Sequence, residues 1–153
     1  MLSVSDNEKP LIFEAAIFAD GSSYGAPCWA GRIVRHRKIV YRTATRGLDV
    51  IEQCLKNRMS FGALQELLAE TENEITIEHP SEEERMAAAW VFRGIHTRLR
   101  SDPQGEATML ERVEPALEWL APLLVRLRTS NPRLTGGEPV GPPPACKDAT
   151  RPQ

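Results

Sequence analysis

Apolar side chains recur through the middle of the chain at steps of three and four. From Trp29, the residues Ile33, Val40, Ala44, Leu48, Ile51 and Leu55 fall within an arc of roughly 80° at ~100° per residue, which predicts one long helix with a single buried stripe. Pro27 stands near the first turn, where its missing N–H costs nothing. Gly47, inside the pattern, is a poorer helix former than alanine by ~1 kcal/mol. After a break at Lys56 to Met59, Ser60 is placed to cap a second helix carrying Phe61, Leu64, Leu67, Leu68 and Ile75. Ser81 with Glu84 three residues on forms a capping box ahead of Ala88, Val91, Phe92, Ile95 and Leu99. A turn around Ser101 to Glu106 then leads to Leu110, Val113, Leu117, Leu120, Leu124 and Leu127, an alternation that stops before Asn131 and Pro132. These stripes and their short connections predict an all-α fold, an antiparallel bundle of about four helices. Leu11 to Phe18 reads equally as a short strand or as a segment docked on the bundle.

The ends carry a different text. From Asn131 onward the chain is rich in Pro and Gly with almost no large apolar residue, a composition that cannot offset the entropy of ordering itself. The expected organisation is a flexible N-terminus over 1–10, a helical domain with an N-terminal extension over 11–130, and a disordered tail over 131–153. A length of 153 residues suits one domain. A net charge of −2 gives no global attraction to nucleic acid or anionic membrane. Three widely spaced cysteines, Cys28, Cys54 and Cys146, argue against a disulfide framework and a CxxC motif. Together with the lack of a basic-then-apolar leader and of a long apolar run, they lead to the expectation of a soluble cytoplasmic protein that does not engage a membrane.

Candidate chemistry concentrates in FADGSSYGAPCW, Phe18 to Trp29, which admits three readings. Gly21-Ser22-Ser23-Tyr24-Gly25 satisfies G-x-S-x-G, the context of a serine nucleophile, but the pattern names no strands to carry the sheet that such an elbow needs. IFADGS resembles the first strand of the ribonuclease H family, and the resemblance would make Asp20 a metal ligand of a metal-dependent nuclease, with RIVRHRKIVYRT as a hairpin. Ser60 follows Asn57-Arg58-Met59 where that family has a glutamate, and one aspartate does not make a two-metal site. The third reading is structural. Asp20, Gly21 and Ser22 are turn formers that lead into the helix after Pro27, and Tyr24 and Trp29 pin that loop to the bundle. Phe18 to Ser22, Tyr24, Gly25, Trp29, Arg32, Ile33, Arg35 and Arg37 resemble a group of uncharacterised bacterial helical proteins, with an FADGS-type leader before Tyr-Gly, a tryptophan and an arginine-rich helix. That resemblance implies a helical fold and no activity.

Charge is asymmetric along the chain. Arg32, Arg35, Arg37, Lys38, Arg42 and Arg46 lie between Gly31 and Gly47 without an acid, and a glutamate-rich stretch from Glu66 to Glu84 follows. On a helix Arg32, Arg35, Lys38, Arg42 and Arg46 fall opposite the apolar arc, forming a basic face. Such a face either complements the acidic helices internally, where exposed pairs contribute only ~0 to 1 kcal/mol each, or meets an acidic protein or nucleic-acid partner. His36, His79 and His96 lack metal-ligand spacing, and Glu66, Glu70 and Glu74 form a solvated face, so neither a metal site nor a cofactor is expected. Trp90 and Trp119 are read as core or core-rim residues, an exposed pair being the mark of a protein-binding face. The expected function is a non-enzymatic binding or regulatory module acting through the basic face, with a homodimer allowed by unlike-charged faces on one chain; the alternative is the nuclease using Asp20.

Overall fold

The computed structural model describes residues 15–17, 23–25, 27–78 and 81–130. Four helices carry the fold: α1 (Pro27–Lys56), α2 (Phe61–Glu78), α3 (Glu82–His96) and α4 (Met109–Ser130). Ahead of them, β1 (Ala15–Ile17) pairs antiparallel with β2 (Ser23–Gly25), Ala16 opposite Tyr24. Of the segment that reads as strand or docked extension, Ala15–Ile17 is both, because each strand of this ribbon also touches α1. The expected flexible N-terminus over 1–10, the expected disordered tail over 131–153, and Asp20, Gly21, Ser22 and His79 lie outside the described residues.

The all-α expectation holds, and successive helices run in opposite directions. Arg46 meets Glu74 and Glu78 across α1 and α2, His96 meets Glu72 across α2 and α3, and Trp119 meets Trp90 across α3 and α4. Ile33 to Tyr41 lie inside α1, so the hairpin that the nuclease reading requires is not formed there. None of the described helices is long and apolar enough to cross a membrane.

α1 is the hub. It touches α2, α3 and α4, so it buries more than the single stripe of the sequence reading. Ile39, Thr43 and Cys54 are buried beside the expected Val40, Ala44 and Ile51, while Ile33, Leu48 and Leu55 are only half-buried. Gly47 has a packing reason: a Cβ there would come within 2.5 Å of Ile95 Cδ1, so the glycine allows α1 and α3 to meet closely. Leu64, Leu68 and Ile75 of α2 and Ala88, Val91, Phe92 and Ile95 of α3 complete the interior as their spacing predicts.

Local chemistry sets the ends. The Ser60 hydroxyl accepts the Ala63 N–H at 3.2 Å, as a cap should. α1 closes with Arg58 at φ 51°, the Met59 N–H donating to the Cys54 carbonyl at 2.9 Å and the Arg58 N–H to that of Leu55 at 3.3 Å, the paired bonds of a Schellman ending. α4 opens with a second capping box that the apolar stripe did not reveal. Thr108 Oγ1 accepts the Glu111 N–H at 3.2 Å, and Glu111 Oε2 accepts the Thr108 N–H at 2.6 Å. The Thr108 N–H and hydroxyl, both donating to Glu111 Oε2, hold the Glu111 carboxyl below its ordinary value. The buried face of α4 is turned from the expected one: Val113, Ala116, Leu120, Leu123 and Leu127 are buried, whereas Leu110 is exposed. Small Ala116 marks the contact with the other helices, and size alone had favoured the leucines. Pro115 and Pro122 both lie within α4, where each removes one backbone donor.

Candidate binding groove

The first turn of α3 carries Glu82, Glu83 and Glu84, acids at a helix N-terminus where the macrodipole favours them. Glu84 alone turns inward. Its Oε2 accepts the Ser81 hydroxyl at 2.9 Å and the Ser81 N–H at 3.3 Å, while the Ser81 hydroxyl accepts the Glu84 N–H at 3.2 Å. Its other oxygen accepts Nε and Nη2 of Arg35 from α1. The capping box is legible in the sequence, but the arginine that completes it lies 49 residues earlier. Burial pushes the Glu84 carboxyl up, but the bonds from Ser81 and Arg35 outweigh it and leave the group below the usual carboxylate value.

This ion pair ties α1 to α3 without filling the space between them. Beside it lies a cavity of about 270 Å³ lined by Arg32, Arg35, His36, Ile39, Ser81, Glu83 and Glu84. A second, of about 610 Å³, is lined by His36, Glu82, Glu83, Met86, Ala87 and Trp90. His36 and Glu83 line both, so the two form one groove along the first half of α3. Met86 and Trp90, one helical turn apart, are 66% and 51% exposed. The α1 wall is basic, the α3 wall acidic, and the floor apolar.

Trp90 is held rather than loose. Its ring meets Trp119 edge to face, with centroids 5.5 Å apart and planes at 64°. The Arg98 guanidinium lies over Trp119 at 4.4 Å on the side of the C-terminal end of α3. Gly94 makes room for that indole, since a Cβ there would stand 2.3 Å from the ring. Reading both tryptophans as core or rim residues is half right. Trp119 is half-buried and Trp90 is exposed. Met86, which the helical stripe leaves out, is the residue that sequence reasoning missed; its i, i+4 spacing to Trp90 was the available signal.

The basic face is divided among different tasks. Arg35 is bound to Glu84, and Arg46 reaches Glu74 at 2.9 Å and Glu78 at 3.2 Å. Arg32 lies over the Trp29 ring at 4.8 Å and lines the groove. Arg42 is exposed and Lys38 partly so. Arg35 departs from the expected face by turning to the buried Glu84, whereas Arg46 forms the internal complementarity that the charge pattern allowed, in exposed pairs with the acidic side of α2. Arg37, from the same run, has Nη1 buried without a hydrogen-bond partner.

The remaining candidates are dispersed. Ser23 of the G-x-S-x-G pattern lies in β2 opposite Ile17, while His96 Nε2 stands 3.7 Å from Glu72 near the far end of the bundle. Tyr24 is in the ribbon that touches α1, and Trp29 lies in the first turn of that helix. Cys54 is buried, and burial raises its thiol pKa. Among the described residues no group of three His, Cys, Asp or Glu is placed to hold a metal ion. Comparison of the chain with family models, with curated proteins and with solved structures gives no match.

Proposed function

We propose that this protein is a non-enzymatic binding module whose working surface is the groove between α1 and α3. The observation that carries the reading is the exposure of Met86 and Trp90 on the wall of an apolar-floored cavity. Large apolar side chains gathered on a concave surface and rimmed by charge are the common anatomy of a protein-docking site. Trp90 is braced by Trp119, so little conformational freedom is lost when a partner covers it. The partner presents an apolar anchor to Met86 and Trp90 and charged groups to the rim.

This reading keeps the binding role expected from the charge pattern and moves its centre. Arg32 remains in the surface as part of the α1 wall. Arg35 and Arg46 act as ties within the bundle, and an acidic partner laid along all five cations would have to displace their carboxylates. The nuclease alternative gains no support from the helical conformation of Ile33 to Tyr41.

A photo-reactive phenylalanine analogue at Met86, compared in the producing cell with the same analogue at exposed Leu110, tests the proposal. Position 86 gives a discrete protein adduct that Trp90→Ala abolishes, and position 110 does not. Equal adduct patterns from the two positions, or none from 86, would refute the groove as a docking surface.

A further inference from the structure

The groove has walls of opposite sign. Arg32 and His36 stand on the α1 side, Glu82 and Glu83 on the α3 side, at the same level of the same pair of cavities. A partner of one charge would be attracted by one wall and repelled by the other, and like-charge juxtaposition opposes docking as strongly as unlike charge favours it. A surface that carries both signs on either side of an apolar line is its own complement under a two-fold rotation.

We infer that the occupant of the groove is a second copy of this chain, an inference that rests on the groove being the docking surface. With the two-fold axis lying along the groove, the α1 wall of each copy faces the α3 wall of the other. Arg32 and His36 then meet Glu82 and Glu83 of the partner subunit, and the same contacts form again on the other side of the axis. Met86 and Trp90 of each copy are covered in the same step. Net charge does not oppose this pairing, since −2 per chain adds little repulsion between copies. The polar walls fix the register, and the apolar floor supplies the driving force.

A charge exchange tests the pairing directly. In a symmetric dimer Arg32→Glu places two pairs of like acids across the interface, and Glu83→Arg places two pairs of like bases. Mixing the two variants restores both contacts, because Glu at 32 of one copy then faces Arg at 83 of the other. Sedimentation of the full chain over a wide concentration range reads the result. The wild type self-associates to a dimer, each variant alone weakens it by at least about tenfold, and the equimolar mixture recovers heterodimer close to wild-type strength. Recovery in the mixture requires both variants to be folded, so a folding defect cannot imitate it.

Three outcomes would overturn the inference: a wild type that stays monomeric at every concentration, single variants that dimerise as the wild type does, or a mixture no stronger than its components. The cross-link at position 86 separates this failure from that of the groove itself. An adduct between two copies supports the dimer. An adduct to a different protein removes the dimer and leaves the docking surface, and the absence of any adduct removes both.

Discussion

The two ends of the α1–α3 contact are built on different physics. Toward the end of α3, Gly47 lets Ile95 pack against the α1 backbone, and Ile51, Phe92 and Ile95 are fully buried. Toward its start the helices are joined by Arg35 and Glu84, and cavities remain where side chains would otherwise interlock. An apolar contact holds by filling space, so it leaves no site behind. A hydrogen-bonded ion pair holds by direction and works across a gap. Replacing such a pair with close-packed apolar residues is often neutral or stabilising, so stability alone gives weak reason for it here. It keeps the two walls in fixed relation while the groove stays open.

The largest effect that separates the two ends comes from shortening one side chain in each. Phe92→Ala empties the closed end and lowers stability by about 4 kcal/mol in urea unfolding. Met86→Ala, at an exposed site on the groove wall, changes the stability of the monomer, read at concentrations too low for copies to pair, by no more than about 0.5 kcal/mol, while weakening the association read by sedimentation. Similar losses at the two positions would mean that the groove is part of the core, and the contrast between the ends would fail.

The ion pair gives the next effect, and its sign follows from Glu84. The carboxyl is held below its ordinary value in the folded protein, so its stabilisation is fully present above the unfolded carboxylate pKa of about 4.3. It is lost as pH falls through the lower, folded value. Glu84→Gln leaves Arg35, 19% exposed at its side chain, without its carboxylate and costs about 2 to 3 kcal/mol near neutral pH. The gap between the two proteins, measured by thermal melts from pH 7 downward, is constant until about pH 5 and closes as Glu84 becomes protonated in the wild type. A gap that persists unchanged in acid would show that the charge on Glu84 contributes nothing to the tie.

The helices were legible in the sequence because each buries one face, and a buried face leaves a spacing of three and four. Ser60, Ser81 and Glu84 were legible for a related reason, since a cap acts within a few residues of itself. The groove was not legible. Trp90 follows the stripe of α3 closely enough to pass for core, and its exposure depends on what faces it from α1, a fact of tertiary placement. The reach of Arg35 across 49 residues to Glu84 is equally non-local. The charge asymmetry was visible as a whole, but which arginines turn inward was decided by the central position of α1, and no single helical stripe encodes that. Gly94 gave no signal, because its function is space for the Trp119 ring.

The smallest effect sharpens the comparison by acting beyond the groove. Arg58 closes α1 with φ 51°, a conformation that costs a residue with a Cβ roughly 1 kcal/mol or more and glycine almost nothing. The Arg58 side chain is exposed, so Arg58→Gly removes strain with little packing lost. Part of the gain is cancelled because glycine makes the unfolded chain freer. The net expectation is a stabilisation of about 0.5 kcal/mol, seen as a rise of about 2 °C in melting temperature for a domain of this size. Self-association stays at its wild-type strength, because the change tightens the exit of α1 and leaves Arg32, His36, Glu82 and Glu83 where they stand. If the same substitution altered dimer formation, the exit of α1 would be coupled to the groove, and the two ends would have to be treated as one mechanical unit.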